Sequence, residues 1–225
     1  HESTAMTTPI DRLVNLQVRL ASRPVGLPTR DNWQFTEAPV RPPPEGGVLV
    51  QVLAISLDPA MRGWMNEGKS YIAPVGLGEV MRAGAVGRVR LSLHPDFAVG
   101  DVVSGALGVQ AYCTLAGDQV ARSGLAKIDL GLGSAALWLN VLGMPGMTAY
   151  FGLREVGQPH AGETLVVSAA AGAVGQTVGQ LGRIAGQSGL DGTLALDGTI
   201  TGNAASLETS GALSGNALAY GDNKV

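Results

Sequence analysis

The 225-residue sequence predicts a mixed α+β and α/β chain, and three observations predict it. Short β-branched runs separated by glycine and proline turns fill residues 11 to about 120. From Ala135 the apolar period lengthens to that of helices, and residues 162–185 read as strand, glycine turn and helix in immediate succession. From residue 187 to 225 the composition shifts to Gly, Ser, Thr, Asn and Ala, with no proline and one aromatic residue, Tyr220.

The β-rich unit is entered through Arg41-Pro42-Pro43-Pro44-Glu45-Gly46, which cannot be helical because proline fixes φ and removes an N–H donor. Residues 47–56 follow as a β-branched, partly alternating strand. Residues 84–91 form the next, with Val86 and Val89 set against Arg88 and Arg90. A turn over residues 94–101 leads into a strand at 102–105, and residues 107–115 make another. A small barrel is the natural closure for strands of this length. The 33 glycines and 4 % aromatic content point to tight backbone positions and a core of small aliphatic side chains.

Beyond it, Ser134 caps a helix running through Leu137, Trp138, Val141 and Leu142. Pro145-Gly146 interrupts that helix, and residues 147–153 begin another. Residues 164–168 read as a short apolar strand of the fully buried kind. Directly after it stands Ala170-x-Gly172-x-x-Gly175, close to the Gly-x-Gly-x-x-Gly fingerprint of dinucleotide binding. Val174, Val178, Leu181, Ile184 and Ala185 then repeat at helical spacing. In such a turn Gly172 lets the backbone approach a pyrophosphate, and Gly175 lets helix and strand pack closely. The helix N-terminus supplies free N–H groups and a partial positive charge. With alanine in the first position, the same pattern also fits a tight strand-to-helix turn in an ordinary α/β domain. Asp197 lies 22 residues past Gly175, near the distance at which an acid holds the ribose hydroxyl. Gly189, Gly192 and Gly198 crowd that stretch and favour coincidence. The tail from residue 187 reads either as a weak meander of short strands such as 193–196 and 199–201, with glycines 192, 198, 202, 211 and 215 as turns, or as disordered chain.

Several function classes are excluded. A net charge of −3 argues against nucleic acid as a partner. No apolar run reaches the ~18 residues of a membrane span, and membrane is likewise not a partner. The single cysteine, Cys113, rules out an internal disulfide framework or thiolate metal cluster. His1, His94 and His160 stand at no metal-ligand spacing, so no metal is expected, and His94 and His160 read as surface histidines in loops. Cys113 reads as a buried small residue rather than a nucleophile. No Gly-x-Ser-x-Gly elbow is present, and no catalytic residue is assigned. Arg62 either reaches an anionic ligand or caps loop carbonyls. Residues 1–9 are irregular, with Met6 a plausible start and no signal-peptide layout, so a cytoplasmic protein is expected.

The order of these parts resembles the zinc-free, NADP-dependent branch of the medium-chain dehydrogenase/reductase superfamily, which includes the prostaglandin reductases, or leukotriene B4 12-hydroxydehydrogenases, and the curcumin-reductase-like oxidoreductases. The matching stretches are Leu57-Asp58-Pro59-Ala60-Met61-Arg62-Gly63-Trp64-Met65, Ser70-Tyr71-Ile72-Ala73-Pro74-Val75, residues 78–84, Gly108-Val109-Gln110-Ala111-Tyr112, and the run from Leu142 to Gly175. The resemblance covers about residues 10–186. It implies a GroES-like β-barrel over residues 10–133, incomplete, then a bridge helix and the truncated start of a Rossmann domain over 134–186. Residues 187–225 follow as an unrelated Gly/Ser/Thr-rich tail.

It further implies NADPH as cofactor and, as substrate, a small-molecule enone: an α,β-unsaturated ketone or aldehyde whose C=C bond is reduced. By position Ala170, Gly172, Ala173, Val174 and Gly175 match the pyrophosphate turn, and Thr148 a threonine near the nicotinamide. Tyr71, with Arg62, matches the substrate side. A homodimer is expected from the resemblance. No Lys or Arg stands between Arg183 and Lys224, so the family's 2′-phosphate contacts have no counterpart. The chain is therefore expected to be an inactive N-terminal part of an enone reductase, or alternatively a non-catalytic module with an incomplete cofactor site that associates with a partner subunit.

Overall fold

The computed structural model describes residues 9–160, 163, 165–184, 190–203, 206–220 and 223–224. His1, Met6, Gly162, Thr164, Ala185, Gly186 and residues 187–189, all invoked above, lie outside the described residues. The chain divides into two compact units, His1–Leu139 and Asn140–Val225.

In the first unit, β1 (Val14–Leu20) and β2 (Trp33–Pro39) form an antiparallel pair with Leu20 opposite Trp33. A five-stranded antiparallel sheet holds β3 (Val48–Ile55), β4 (Gly84–Ser92), β5 (Val102–Ala106), β6 (Tyr112–Leu115) and β7 (Ala126–Lys127) in the order β6-β3-β4-β5-β7. Bridges from Gln17 to Gln110 and from Arg19 to Val80 stitch β1 to the segments flanking that sheet. Val18 N donates to Val109 O at 3.0 Å, and Met81 N donates to Val18 O at 2.8 Å. Short helices lie between the strands: α1 (Ala60–Trp64), α2 (Gly117–Arg122) and, after the sheet, α3 (Ala135–Trp138).

Two clusters fill the interior. One joins Val48, Val50, Ala85, Val89, Val103, Leu107, Cys113, Leu115 and Val120. The other joins Leu20, Met65, Val75 and Met81, with Trp33, Met61, Trp64 and Val109 packed against them. Side chains this small let β3 and β4 approach closely: a Cβ on Gly87 would stand 2.4 Å from Val50 Cγ1 and 2.6 Å from Gln51 O.

The strand expected over residues 107–115 starts only at Tyr112. Gly108 takes a φ of +76°, which turns the chain, and Gln110 Nε2 closes the turn on Leu107 O at 2.8 Å. Ser134 does cap a helix, its Oγ accepting from Leu137 N at 3.4 Å, but α3 ends before Leu139. Pro145 does not break a helix: it sits in the first turn of α4 (Met144–Phe151), where its missing N–H has no intrahelical partner to lose.

The second unit holds α4, a π-helical extension Gly152–Gly157, and α5 (Ala173–Ile184). The buried strand expected at 164–168 is not observed: residues 165–167 carry no strand pairing and Val166 is 86 % exposed. A parallel strand needs neighbours to share its ladder, and no described strand lies beside this segment. The tail instead pairs with itself. β8 (Leu190–Asn203) and β9 (Ser206–Tyr220) form one long antiparallel hairpin, and β10 (Asn223–Lys224) adds to β9. The glycines expected at turns lie inside the ladder, Gly198 opposite Gly211, with an irregularity at Gly192. Glycine weakens a strand without forbidding it, so a glycine count alone does not locate turns.

In the β4–β5 turn, Asp101 Oδ2 accepts from Ala98 N at 2.8 Å and pairs with Lys127 Nζ at 2.8 Å. The Lys127 bond, then the Ala98 bond, hold the Asp101 carboxyl below its usual range. A depressed carboxylate stabilises the fold above its unfolded pKa, and that contribution disappears as pH falls through the folded value. Asp101→Asn is expected to be less stable than wild type near neutrality, with the difference beginning to shrink as pH falls below about 4 in denaturant midpoints measured across pH.

Candidate functional site

The chemistry-bearing turn opens α5. Ala169 adopts a left-handed backbone with φ +50°, and its carbonyl accepts from Gly172 N at 2.8 Å. That carbonyl lies where Gly175 has no side chain: a Cβ there would stand 2.3 Å from Ala169 O and 2.9 Å from Ala170 Cα. Gly175 is buried, whereas Ala170, Ala171, Gly172 and Ala173 are exposed. The turn is braced by Gln176 Nε2, which donates to Ala171 O at 2.7 Å, and by the first helical bond, from Gln176 N to Gly172 O at 2.9 Å. Helix geometry leaves the N–H groups of Ala173, Val174 and Gly175 without an intrahelical acceptor. Three N–H donors and the positive end of a 12-residue helix therefore sit at an open glycine turn, which suits a phosphate group.

Thr148 lies on α4, exposed, with its hydroxyl donating to Met144 O at 2.8 Å. α4 packs on α5, and a groove of about 240 Å³ between them is lined by Val141, Gly146, Met147, Tyr150, Phe151, Thr177 and Leu181. Asp197 sits in mid-strand opposite Ala212, away from any end of a parallel strand where a ribose acid would stand.

Arg62 and Tyr71 belong to the first unit. Arg62 donates to Gly26 O at 2.8 Å, to Pro24 O at 3.1 Å and to Asn66 Oδ1. Its guanidinium is thus occupied with loop carbonyls. Tyr71 is 82 % exposed, and its hydroxyl accepts from Trp64 Nε1 at 2.8 Å. Arg82 stacks on the same indole, its Cζ 5.5 Å from the ring centroid. Sequence inspection passed over Trp64 and Arg82 because nothing in their spacing marks a contact across 18 residues. It also missed the left-handed Ala169, a conformation that alanine rarely adopts.

His94 is half-buried, stacked edge-on against Phe97 at 5.2 Å, and not the open surface histidine expected. His160 is exposed and faces Glu163 at 3.7 Å. Cys113 is buried in the main core, as expected, and burial pushes its thiol up to about 11 against a smaller lowering by Gln110. Among the described residues no group of His, Cys, Asp and Glu is placed to hold a metal ion, and no helix is long and apolar enough to cross a membrane.

Residues 16–123 match the family model described as the N-terminal domain of oxidoreductase. The chain is 48 % identical over 167 residues to the NADPH-dependent curcumin reductase of Escherichia coli, covering 74 % of this chain and 47 % of that protein. Over the matched stretch the chain is similar to NADP-dependent oxidoreductases. Prostaglandin reductase 1 of Sus scrofa is 36 % identical over 162 residues, covering 72 % of this chain and 46 % of that one. Among solved structures, CurA from Vibrio vulnificus in complex with NADPH superposes with a TM-score of 0.68 at 43 % identity, covering 75 % of this chain and 49 % of that one. The chain spans about half the length of the curated relatives it matches.

Gly175→Ala is expected to cost about 2 kcal/mol by driving a methyl group into Ala169 O. Gly179→Ala, which meets nothing within 4 Å, is expected to gain about 0.5–1 kcal/mol of helix propensity. Denaturant unfolding monitored by helical circular dichroism distinguishes them. Cys113 in the native protein is expected to resist a disulfide reagent at about pH 8 and to react only after unfolding, as followed by thiolate release.

Proposed function

We propose that the chain carries part of an NADPH-dependent reductase acting on the C=C bond of α,β-unsaturated ketones and aldehydes. The observation that carries the reading is the open glycine turn at the head of α5, with Gly175 closed against Ala169 O and three helix N–H groups left to bind. The residues present fit a pyrophosphate: a Cβ on Gly172 would meet nothing nearer than Ala169 O at 3.2 Å, so the outer side of the turn is clear. Ala170, Gly172, Ala173, Val174 and Gly175 would hold the diphosphate, and Thr148 would face the nicotinamide end. NADPH, when bound, supplies the hydride for the β-carbon of the enone.

This chain's own contributions are to bind and orient. Arg62 braces the 24–26 loop, and Tyr71 offers a hydroxyl on the substrate side. The 2′-phosphate has no basic partner between Arg183 and Lys224. Among the described residues, no strand pairs with 165–167. We therefore read these 225 residues as binding without turnover on their own.

A second reading is favoured by the second unit's apolar surface. Met144, Met147, Phe151 and Val156 are 72, 53, 53 and 84 % exposed. A non-catalytic module that associates with a partner subunit would cover them.

One experiment separates the readings. The chain alone is expected to oxidise no NADPH with trans-4-phenyl-3-buten-2-one above the protein-free blank at the nicotinamide absorbance band. Residues 10–186 fused to the remaining half of the Escherichia coli curcumin reductase are expected to restore turnover, and Gly175→Val in that fusion to remove at least about a hundredfold of it. A folded fusion without activity, or enzyme-like rates from the chain alone, contradicts the proposal.

A further inference from the structure

We propose that the outer edge of β8 pairs with the same edge of a second copy of this chain, antiparallel about a two-fold axis at Leu196. The inference stands on the β10-β9-β8 sheet alone and is independent of the reductase reading.

The 14 residues of β8 lie against β9 on one side and, among the described residues, against no strand on the other. Successive residues of a strand turn their N–H and C=O groups to opposite sides, so about half of β8 offers its backbone outward. An edge of this length is a template for a further strand, and chains that keep such edges apart place lysine, proline or a bulge there. β8 has no Lys, Arg or Pro from Leu190 to Asn203. The irregularity at Asp191/Thr193 inserts its extra residue on the β9 side, where two residues stand against Gly192. The far edge of the sheet is different. There β10 stands against β9, with Asn223 opposite Tyr220 and Lys224 opposite Ala219. A strand laid along that edge meets β10, which obstructs open-ended stacking of β8 on β9, whereas β8 on β8 closes at two copies. A two-stranded ribbon is marginally stable by itself in water, and pairing with a copy doubles the three-stranded sheet.

The pattern of β8 suits its own copy. Leu190, Leu194, Leu196 and Ile200 occupy even positions, and Asp191, Thr193, Asp197, Thr199 and Thr201 odd ones. Even and odd positions belong to opposite faces of a strand. β9 continues the pattern by register, with Leu213 opposite Leu196 and Ser214 opposite Ala195. An antiparallel pairing centred on a residue sets even against even and odd against odd, so the two hairpins share one apolar and one polar face. Charge then selects the centre, because like charges directly opposite repel. An axis at Leu194 sets Asp191 against Asp197, and an axis at Asp197 sets that residue against its own copy. Of the centres free of this repulsion, Leu196 gives the longest overlap, pairing residues 190–202 with their copies. It places Asp191 opposite Thr201, Thr193 opposite Thr199, and Asp197 opposite Ala195.

The test uses the full 225-residue chain. Sedimentation equilibrium is expected to show a reversible dimer. Ala195→Asp sets an aspartate against the second copy's Asp197 on both sides of the axis, while within its own hairpin position 195 faces only Ser214. It is expected to weaken the dimer about fivefold, and Ala195→Lys to tighten it by a similar factor. Both differences are expected to fade in molar salt. Loss of hairpin packing alone does not change sign with the charge at 195. Nitroxide labels on Thr193→Cys and on Thr199→Cys, prepared separately, are expected to give the same distance between copies by pulsed electron resonance. That distance is about 20 Å at ~3.4 Å per residue, and a label on Thr201→Cys is expected at about 34 Å.

If Ala195→Asp loses its far-ultraviolet strand signal, Ala195→Lys and the label distances decide. A monomer at every concentration overturns the proposal, and so do fibres, which show open-ended pairing. A dimer with unequal distances at 193 and 199, or one indifferent to the sign of the charge at 195, overturns it as well by placing the interface elsewhere.

Discussion

The carbonyl of Ala169 occupies the space that any side chain on residue 175 would need, 2.3 Å from an ideal Cβ. That close approach is the constraint on which the second unit's chemistry depends. It forces glycine at 175, bends Ala169 into a left-handed conformation, and brings the chain directly into α5 without a linker. Ala173 and Val174, at the start of the helix, are exposed at the bend, and their N–H groups have no intrahelical acceptor. A turn of this geometry suits a phosphate group through its backbone and needs no charged side chain. Thr177, buried and the fifth residue of the helix, returns its hydroxyl to Ala173 O at 2.9 Å and keeps its polarity internal.

The two units differ in how well they cover themselves. In the first, β3 is paired on both sides and its buried face carries Val48 and Val50 at 0 % exposure. The cluster of Ala85, Val89, Val103, Leu107, Cys113, Leu115 and Val120 closes over Val48 and Val50. In the second, the segment before the glycine turn joins no ladder among the described residues, and Val166 is exposed. Leu165 nonetheless packs under the helix, its Cδ2 standing 2.9 Å from an ideal Cβ on Gly182. The strand-to-helix contact that this kind of turn serves is present, while the sheet that ordinarily receives the strand is not among the described residues.

How much of this the sequence showed depends on the range of the interaction. The strands at 48–55 and 84–92 were legible because alternation is a property of neighbouring residues. The glycine turn was legible because its three positions lie within six residues. The start of the 107–115 run was not, since only the φ of Gly108 and the bond from Gln110 to Leu107 O reveal the turn. Pro145 was misplaced as a breaker because a helix start and a helix stop both tolerate proline, and sequence alone does not say which side the helix lies on. Strands at 193–196 and 199–201 were one of two readings of the tail, but their joining into the long β8 and its pairing with β9 was not legible. Their glycines face one another across the hairpin, and such pairing exists only between residues distant in the chain. The Trp64–Arg82 stack is hidden in the same way.

The role proposed for the backbone at the head of α5 is to bind a dinucleotide phosphate. Titration of the isotope-labelled chain with NADPH, followed by amide chemical shifts, tests it most directly. The account predicts that the largest shifts fall on the amides of Gly172, Ala173, Val174 and Gly175, and that Gly175→Val removes them. Shifts confined to other residues, or none in a chain whose spectrum is that of a folded protein, would contradict it.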